Sequence, residues 1–155
     1  MLVKRVTAQV NLEIELIGKL FLAYGELLER ARHTEPNLIE LTALASVLHS
    51  FYTGLENVFQ AIAKQDEDGL PDSAQWHRDL LWQMARTTAQ RSAIISVATA
   101  QRLLDYLSFR HFYRHGYSFF LDWDELSKLV QPLPEVWAQT RQDLEGFLQT
   151  VTTES

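Results

Sequence analysis

LTALASVLHSFYTGLENVFQAI, residues 41–62, is the stretch that decides the fold. Leu41, Leu44, Leu48, Tyr52, Leu55, Phe59 and Ile62 recur at steps of three and four. Such spacing puts them on one side of a helix, whereas a strand needs alternation at every second position. Just upstream, Glu35-Pro36 breaks the preceding pattern. Asn37, with Glu40 three positions later, reads as a capping box that opens the helix.

Outward from this segment the same periodicity continues. Val6, Val10, Ile14, Ile17, Phe21, Tyr24 and Leu28 form one apolar stripe, and the short connection to the next helix predicts antiparallel neighbours. Gln65 to Pro71 is polar and carries Gly69 and Pro71, so it reads as a loop, with Asp66-Glu67-Asp68 solvated. Asp72 or Ser73 is placed to cap a third helix with Trp76, Leu80 and Met84 facing inward, ending in the polar stretch Arg86 to Ser92. A fourth helix is expected from about Ser96 toward His115, its apolar line being Val97, Ala100, Leu104 and Leu107, extended by His111. Gly116 is a plausible stop, because glycine readily takes the left-handed conformation.

Ser118 to Asp122 reads as a turn, and Asp122 as the cap of a helix over Trp123 to Val130. Pro132 and Pro134 must break or kink that helix. Trp137, Leu144, Leu148 and Val151 then define a final one. Strand alternation and internal repeats are missing. The pattern predicts an all-α, up-and-down bundle of four to six helices, one domain over residues 1–151 with 152–155 as a frayed tail.

Composition narrows the function classes. At 155 residues, 46% apolar and 22% charged, the chain is ordinary globular material. It has no cysteine, which excludes disulfides, thiolate metal sites and a cysteine nucleophile. Neither a long uncharged apolar run nor the apolar block of a signal peptide is seen, so no membrane association is expected and a cytoplasmic location is. The net charge of −6 argues against coating of nucleic acid by the whole surface, and no DNA binding is expected, but a local basic site stays open.

Such a site exists at Arg110-His111-Phe112-Tyr113-Arg114-His115-Gly116-Tyr117. Between Gln101 and Tyr117 the charges are Arg102, Arg110 and Arg114 against Asp105 alone. Arginine is a permanently charged fork suited to phosphate oxygens, and histidine moves protons near neutral pH. RNA carries its own nucleophile, the 2′-hydroxyl. Cleaving it needs a base for that hydroxyl, an acid for the leaving 5′-oxygen and a cation for the developing charge. No metal or other cofactor is expected, since the chain has no His-Glu-x-x-His, no Asp-rich loop and no paired cysteines. The plain structural reading is that Arg and His at a helix C-terminus simply complement the dipole.

On a regular helix Arg110 and His115 stand about 140° apart. Either the helix unwinds near Gly116 and re-aims His115, or the groups converge with those of a second copy in a homodimer. The other histidines are read as structural: His33 at a helix end, His49 in an internal hydrogen bond, His77 facing solvent. A metal site built from them is not expected. Among the tryptophans, Trp123 is the best placed for an exposed contact.

The spacing Arg110-x-x-x-x-His115-x-Tyr117 resembles the Arg, four to six residues, His, any residue, Tyr motif of the HepT-like branch of the HEPN superfamily. LTALASVLHSFYTGL (41–55) and FRHFYRHGY (109–117) also look like that family. The resemblance implies a metal-independent ribonuclease toxin, active as a homodimer on RNA, with a minimal nucleotidyltransferase of the MNT type as antitoxin. It puts Arg110 and His115 on the catalytic pair and Tyr117 on the tyrosine that the partner adenylylates. Many family members carry a polar residue, often Asn, directly after the arginine; here it is His111, expected to pack or to support by a hydrogen bond. A different reading keeps the chain non-catalytic, as a protein that binds the nucleotidyltransferase and presents a substrate or the tyrosine to it.

Overall fold

The computed structural model describes residues 3–114 and 121–154. Its helices are α1 (Lys4–Ala23), α2 (Gly25–Arg30), α3 (Leu38–Ala63), α4 (Trp76–Met84), α5 (Val97–Arg114), α6 (Trp123–Val130) and α7 (Leu133–Glu154). Among the described residues there is no strand. The fold is an all-α bundle, as the periodicity predicts. Among the described residues the count reaches seven because the first expected helix is broken at Tyr24, where φ −109° and ψ 14° interrupt the helical path.

α3 is the axle of the bundle, touching α1, α2, α4, α5 and α6. Every residue of its sequence stripe is buried, and so are Phe51, Val58, Ala61 and Ala63 on its other sides. By length and composition it could cross a membrane, with 26 residues and an 18-residue window of mean hydropathy 1.3. Its apolar surface is instead turned toward the neighbouring helices. The capping box forms: Asn37 Oδ1 accepts from the Glu40 N–H at 2.8 Å, and the Asn37 N–H donates to Glu40 Oε1 at 3.0 Å. The hydrogen bond with Asn37, followed by the one from Arg30, holds the Glu40 carboxyl below its ordinary range.

α1 lays Val6, Val10, Ile14 and Ile17 against α3. The approach is close at Gly54, where a Cβ would stand 2.9 Å from Ile17 Cγ1. Phe21, Phe51, Tyr106 and Trp137 then join α1, α3, α5 and α7 in one aromatic cluster, with Trp137 stacked on Phe21 (6.0 Å, 14°) and edge-on to Phe51. Trp137 is therefore a core residue.

The ends of α4 to α7 follow their local sequence with some differences. Ser73 lies outside α4, whose N-cap is Gln75 without a side-chain cap. Ser96 caps α5 by accepting from the Thr99 N–H at 3.0 Å, and Asp143 of α7 accepts from the Ser96 N–H and the Thr99 hydroxyl. Asp122 caps α6 through the Asp124 N–H. The two prolines separate α6 from α7, with Pro134 in the first turn of α7, where a missing N–H is harmless. α7 keeps helical geometry to Glu154, past the last apolar position Val151.

Asp66 corrects the reading of 66–68 as a solvated patch. Its carboxylate takes a forked pair of 2.7 Å hydrogen bonds from Arg91 and a third at 2.9 Å from Gln83. This ties the α3–α4 loop to the α4–α5 loop. Burial alone would push the Asp66 carboxyl up, but the bonds from Arg91 and Gln83 prevail and hold it below its ordinary value.

Candidate functional site: a buried arginine on a cation-lined cleft

The site begins with the face that α5 turns inward. The buried positions are Thr99, Ala100, Leu103, Tyr106, Leu107 and Arg110. The expected line through Val97, Leu104 and His111 is displaced, since Val97 is exposed, Leu104 half-buried and His111 exposed. Tyr106 is fixed by donating its hydroxyl to the Leu129 carbonyl at 2.7 Å. This rotation carries Arg110 into the bundle.

A guanidinium in that position needs a counter-charge, because burying an unpaired one is costly. α3 supplies it. Glu56 is the sole formally charged residue between Leu41 and Ala63, and its side chain is only 4% exposed. Arg110 Nη1 donates to Glu56 Oε1 at 2.9 Å. The other carboxylate oxygen, Oε2, is 2.8 Å from Nδ1 of His77, in the first turn of α4. One buried carboxylate thus joins a residue of α5 to a residue of α4.

His77 was expected to face solvent. Its side chain keeps 32% exposure, yet one ring edge is turned to Glu56, and the ring stacks on Trp76 at 3.6 Å and 28°. Both sit at the wall of a cleft of about 750 Å³ between the start of α4 and the second half of α5. Arg78, Arg110, His111 and Arg114 also line it. None of its described lining residues is acidic, so a cationic cleft lies on a protein of net charge −6. Trp76, rather than the half-buried Trp123, is the tryptophan at the cleft.

On α3, His49, Tyr52, Thr53 and Glu56 share one face at helical spacing. The atoms His49 Nδ1, Tyr52 Oη, Thr53 Oγ1 and Arg110 Nε are buried with no hydrogen-bond partner among the described residues. The internal hydrogen bond expected for His49 is therefore not made at Nδ1. Its ring instead lies 5.2 Å from that of Tyr113. Burial, then the charges of Arg110 and Arg114, push the His49 imidazole below its usual value, so it favours the neutral form. Burial, and then Glu56, push the Tyr52 phenol well above its usual value. The result is a neutral polar seam beside a buried ion pair.

His115 and Tyr117, singled out with Arg110 in the sequence, lie outside the described residues, as does the helix stop at Gly116. His111 lines the cleft instead of packing on the core stripe. Glu56 and His77 were not singled out. The signal for Glu56 was present, a lone carboxylate in an otherwise uncharged helical stretch. Nothing local marks His77. Among the described residues no three His, Asp or Glu side chains are grouped as a metal ion requires.

Chemically, the cleft can hold an anion against Arg78 and Arg114, present an immobilised guanidinium, and offer imidazoles for proton transfer. A family model described as HepT-like protein matches residues 43–151, a span that contains Glu56, His77 and Arg110. No match is found among curated proteins or among solved structures.

Proposed function

Because the chain belongs to the HepT-like family of the HEPN superfamily, a ribonuclease-associated family of toxin–antitoxin components, we propose that it is a metal-independent endoribonuclease toxin. Arg110 binds the scissile phosphate and stabilises the charge that develops on it. His115 moves a proton, and Tyr117 accepts an adenylyl group from a nucleotidyltransferase antitoxin of the MNT type. Two copies of the chain form the active homodimer.

The observation that carries this reading is the Arg110–Glu56 ion pair at the wall of the cationic cleft. A buried guanidinium held by a carboxylate on a solvent-open wall is preorganised for a phosphate. A purely structural arginine would have no need of a cleft lined by further arginines and histidines. An adenylyl group on Tyr117 would bring bulk and negative charge to a locally positive segment of the sequence.

Purified protein should cut single-stranded RNA in the presence of EDTA, leaving 2′,3′-cyclic phosphate ends. Arg110→Ala and His115→Ala should each lose that activity. A second reading, a non-catalytic protein that docks a nucleotidyltransferase, is favoured by the acidic net charge, which repels RNA at long range. Intact RNA after long incubation with the wild-type protein, with tight co-purification of a small transferase, would select it.

A further inference from the structure

We propose that His77, held by Glu56, is a second proton-transfer residue of this site and acts as the general base toward the ribose 2′-hydroxyl. The inference rests on the ribonuclease reading. That reaction needs two proton transfers, whereas the motif of one chain supplies a single histidine, His115. On the helical wheel Arg110 and His115 meet either through an unwound helix end or across two copies. His77 provides the second proton-transfer group within a single protomer, from a helix that the motif does not include.

Three observations carry it. His77 Nδ1 stands 2.8 Å from Glu56 Oε2. A carboxylate can only accept, so the proton is on Nδ1, and in the neutral ring Nε2 keeps its lone pair. Nδ1 faces the interior while the ring lines the cleft with Arg110 and Trp76, and the stack on Trp76 limits its rotation. Finally, Glu56 binds Arg110 and His77 through its two oxygens, so the group that orients the phosphate and the group that takes the proton are positioned by one buried anchor. A histidine oriented by a buried carboxylate is the arrangement that makes imidazole an effective base.

In the reaction, Nε2 of His77 takes the proton of the 2′-hydroxyl as the 2′-oxygen forms its bond to phosphorus. The bond from phosphorus to the 5′-oxygen breaks, and that oxygen takes a proton from His115. The products are a 2′,3′-cyclic phosphate and a 5′-hydroxyl. The proton on Nε2 and the one lost from His115 are exchanged with water before the next turnover. Glu56 on α3 faces the imidazolium that forms. The cleft also presents Arg78 from the same helix and Arg110, His111 and Arg114 from α5.

The test compares RNA cleavage by wild type, His115→Ala, His77→Asn and His77→Ala, with circular dichroism as a check on folding. Asparagine can keep the hydrogen bond to Glu56 but has no atom at Nε2. His77→Asn should lower kcat by about 10²- to 10⁴-fold, and the acid limb of the kcat/KM profile should disappear. Free imidazole should restore part of the activity of His77→Ala in proportion to its concentration, which neither an unfolded protein nor a purely structural histidine would show. Wild-type cleavage that His115→Ala abolishes and His77→Asn leaves within a few-fold, with its acid limb intact, overturns the role of His77 alone. No cleavage by the wild type overturns the ribonuclease reading and this proposal with it.

Discussion

Removing the Glu56 carboxylate should destabilise the whole bundle, and the structure sets the size of the effect. Glu56→Ala strands the Arg110 guanidinium, whose side chain is 10% exposed and whose Nε already lacks a partner among the described residues. Opposite charges about 4 Å apart at an effective dielectric near 20 attract by about 4 kcal/mol. That agrees with the roughly 3–5 kcal/mol lost when one member of a buried pair is removed. With a urea slope of about 2 kcal/mol/M, the unfolding midpoint should fall by about 2 M. Glu56→Leu combined with Arg110→Met should regain most of this, since a buried ion pair replaced by apolar residues is often neutral in stability. Urea titrations of the wild type, Glu56→Leu, Arg110→Met and the double variant form a complete cycle. A coupling energy below about 0.5 kcal/mol would refute the claim that these two residues are bound to each other in the interior.

Three further outcomes follow from other parts of the fold. Because the folded Asp66 carboxyl is held below its ordinary value, its contribution is fully present above the unfolded value, near 3.9, and is lost as pH falls toward the folded one. Asp66→Asn should therefore flatten the loss of stability in urea titrations between about pH 5 and 3. His49 favours its neutral form in the fold, so the unfolded chain binds its proton first and His49 costs stability as pH drops below about 6.5. An NMR titration should place its midpoint below that value, and Arg114→Ala should move it upward. Gly54→Val should cost about 1–3 kcal/mol by overpacking against Ile17, and Ile17→Ala in the same background should recover part of it in thermal melts.

Where the chain itself holds the information locally, sequence and structure agree. The Asn37–Glu40 box and the Asp122 cap are contacts over three and two residues, and both were legible. The buried stripe of α3 was legible because its period is sharp. α5 was harder. Its apolar residues at 100, 103, 104, 106 and 107 span a wide arc, so periodicity alone could not say that Leu103 and Tyr106 face the core while Leu104 lies at the rim. That difference of roughly 100° decides whether Arg110 or His111 points inward. The choice is made by Glu56, 54 residues away in sequence. His77 meets the same carboxylate from 21 residues away, a distance over which local pattern carries no signal. The bend at Tyr24 was equally hidden, because the apolar stripe runs through it without a change of phase.

Tethering Arg110 to the axial helix has one more consequence. A charged side chain on a loop can lose its bearing while the rest of a molecule stays intact. This one is fastened to a core helix, beside Tyr52 and Leu55, both fully enclosed. Moderate urea or mild heat should therefore leave the guanidinium aimed as before, right up to cooperative collapse. Its usefulness and the integrity of the bundle should end at the same denaturant concentration, with no partly disabled species between.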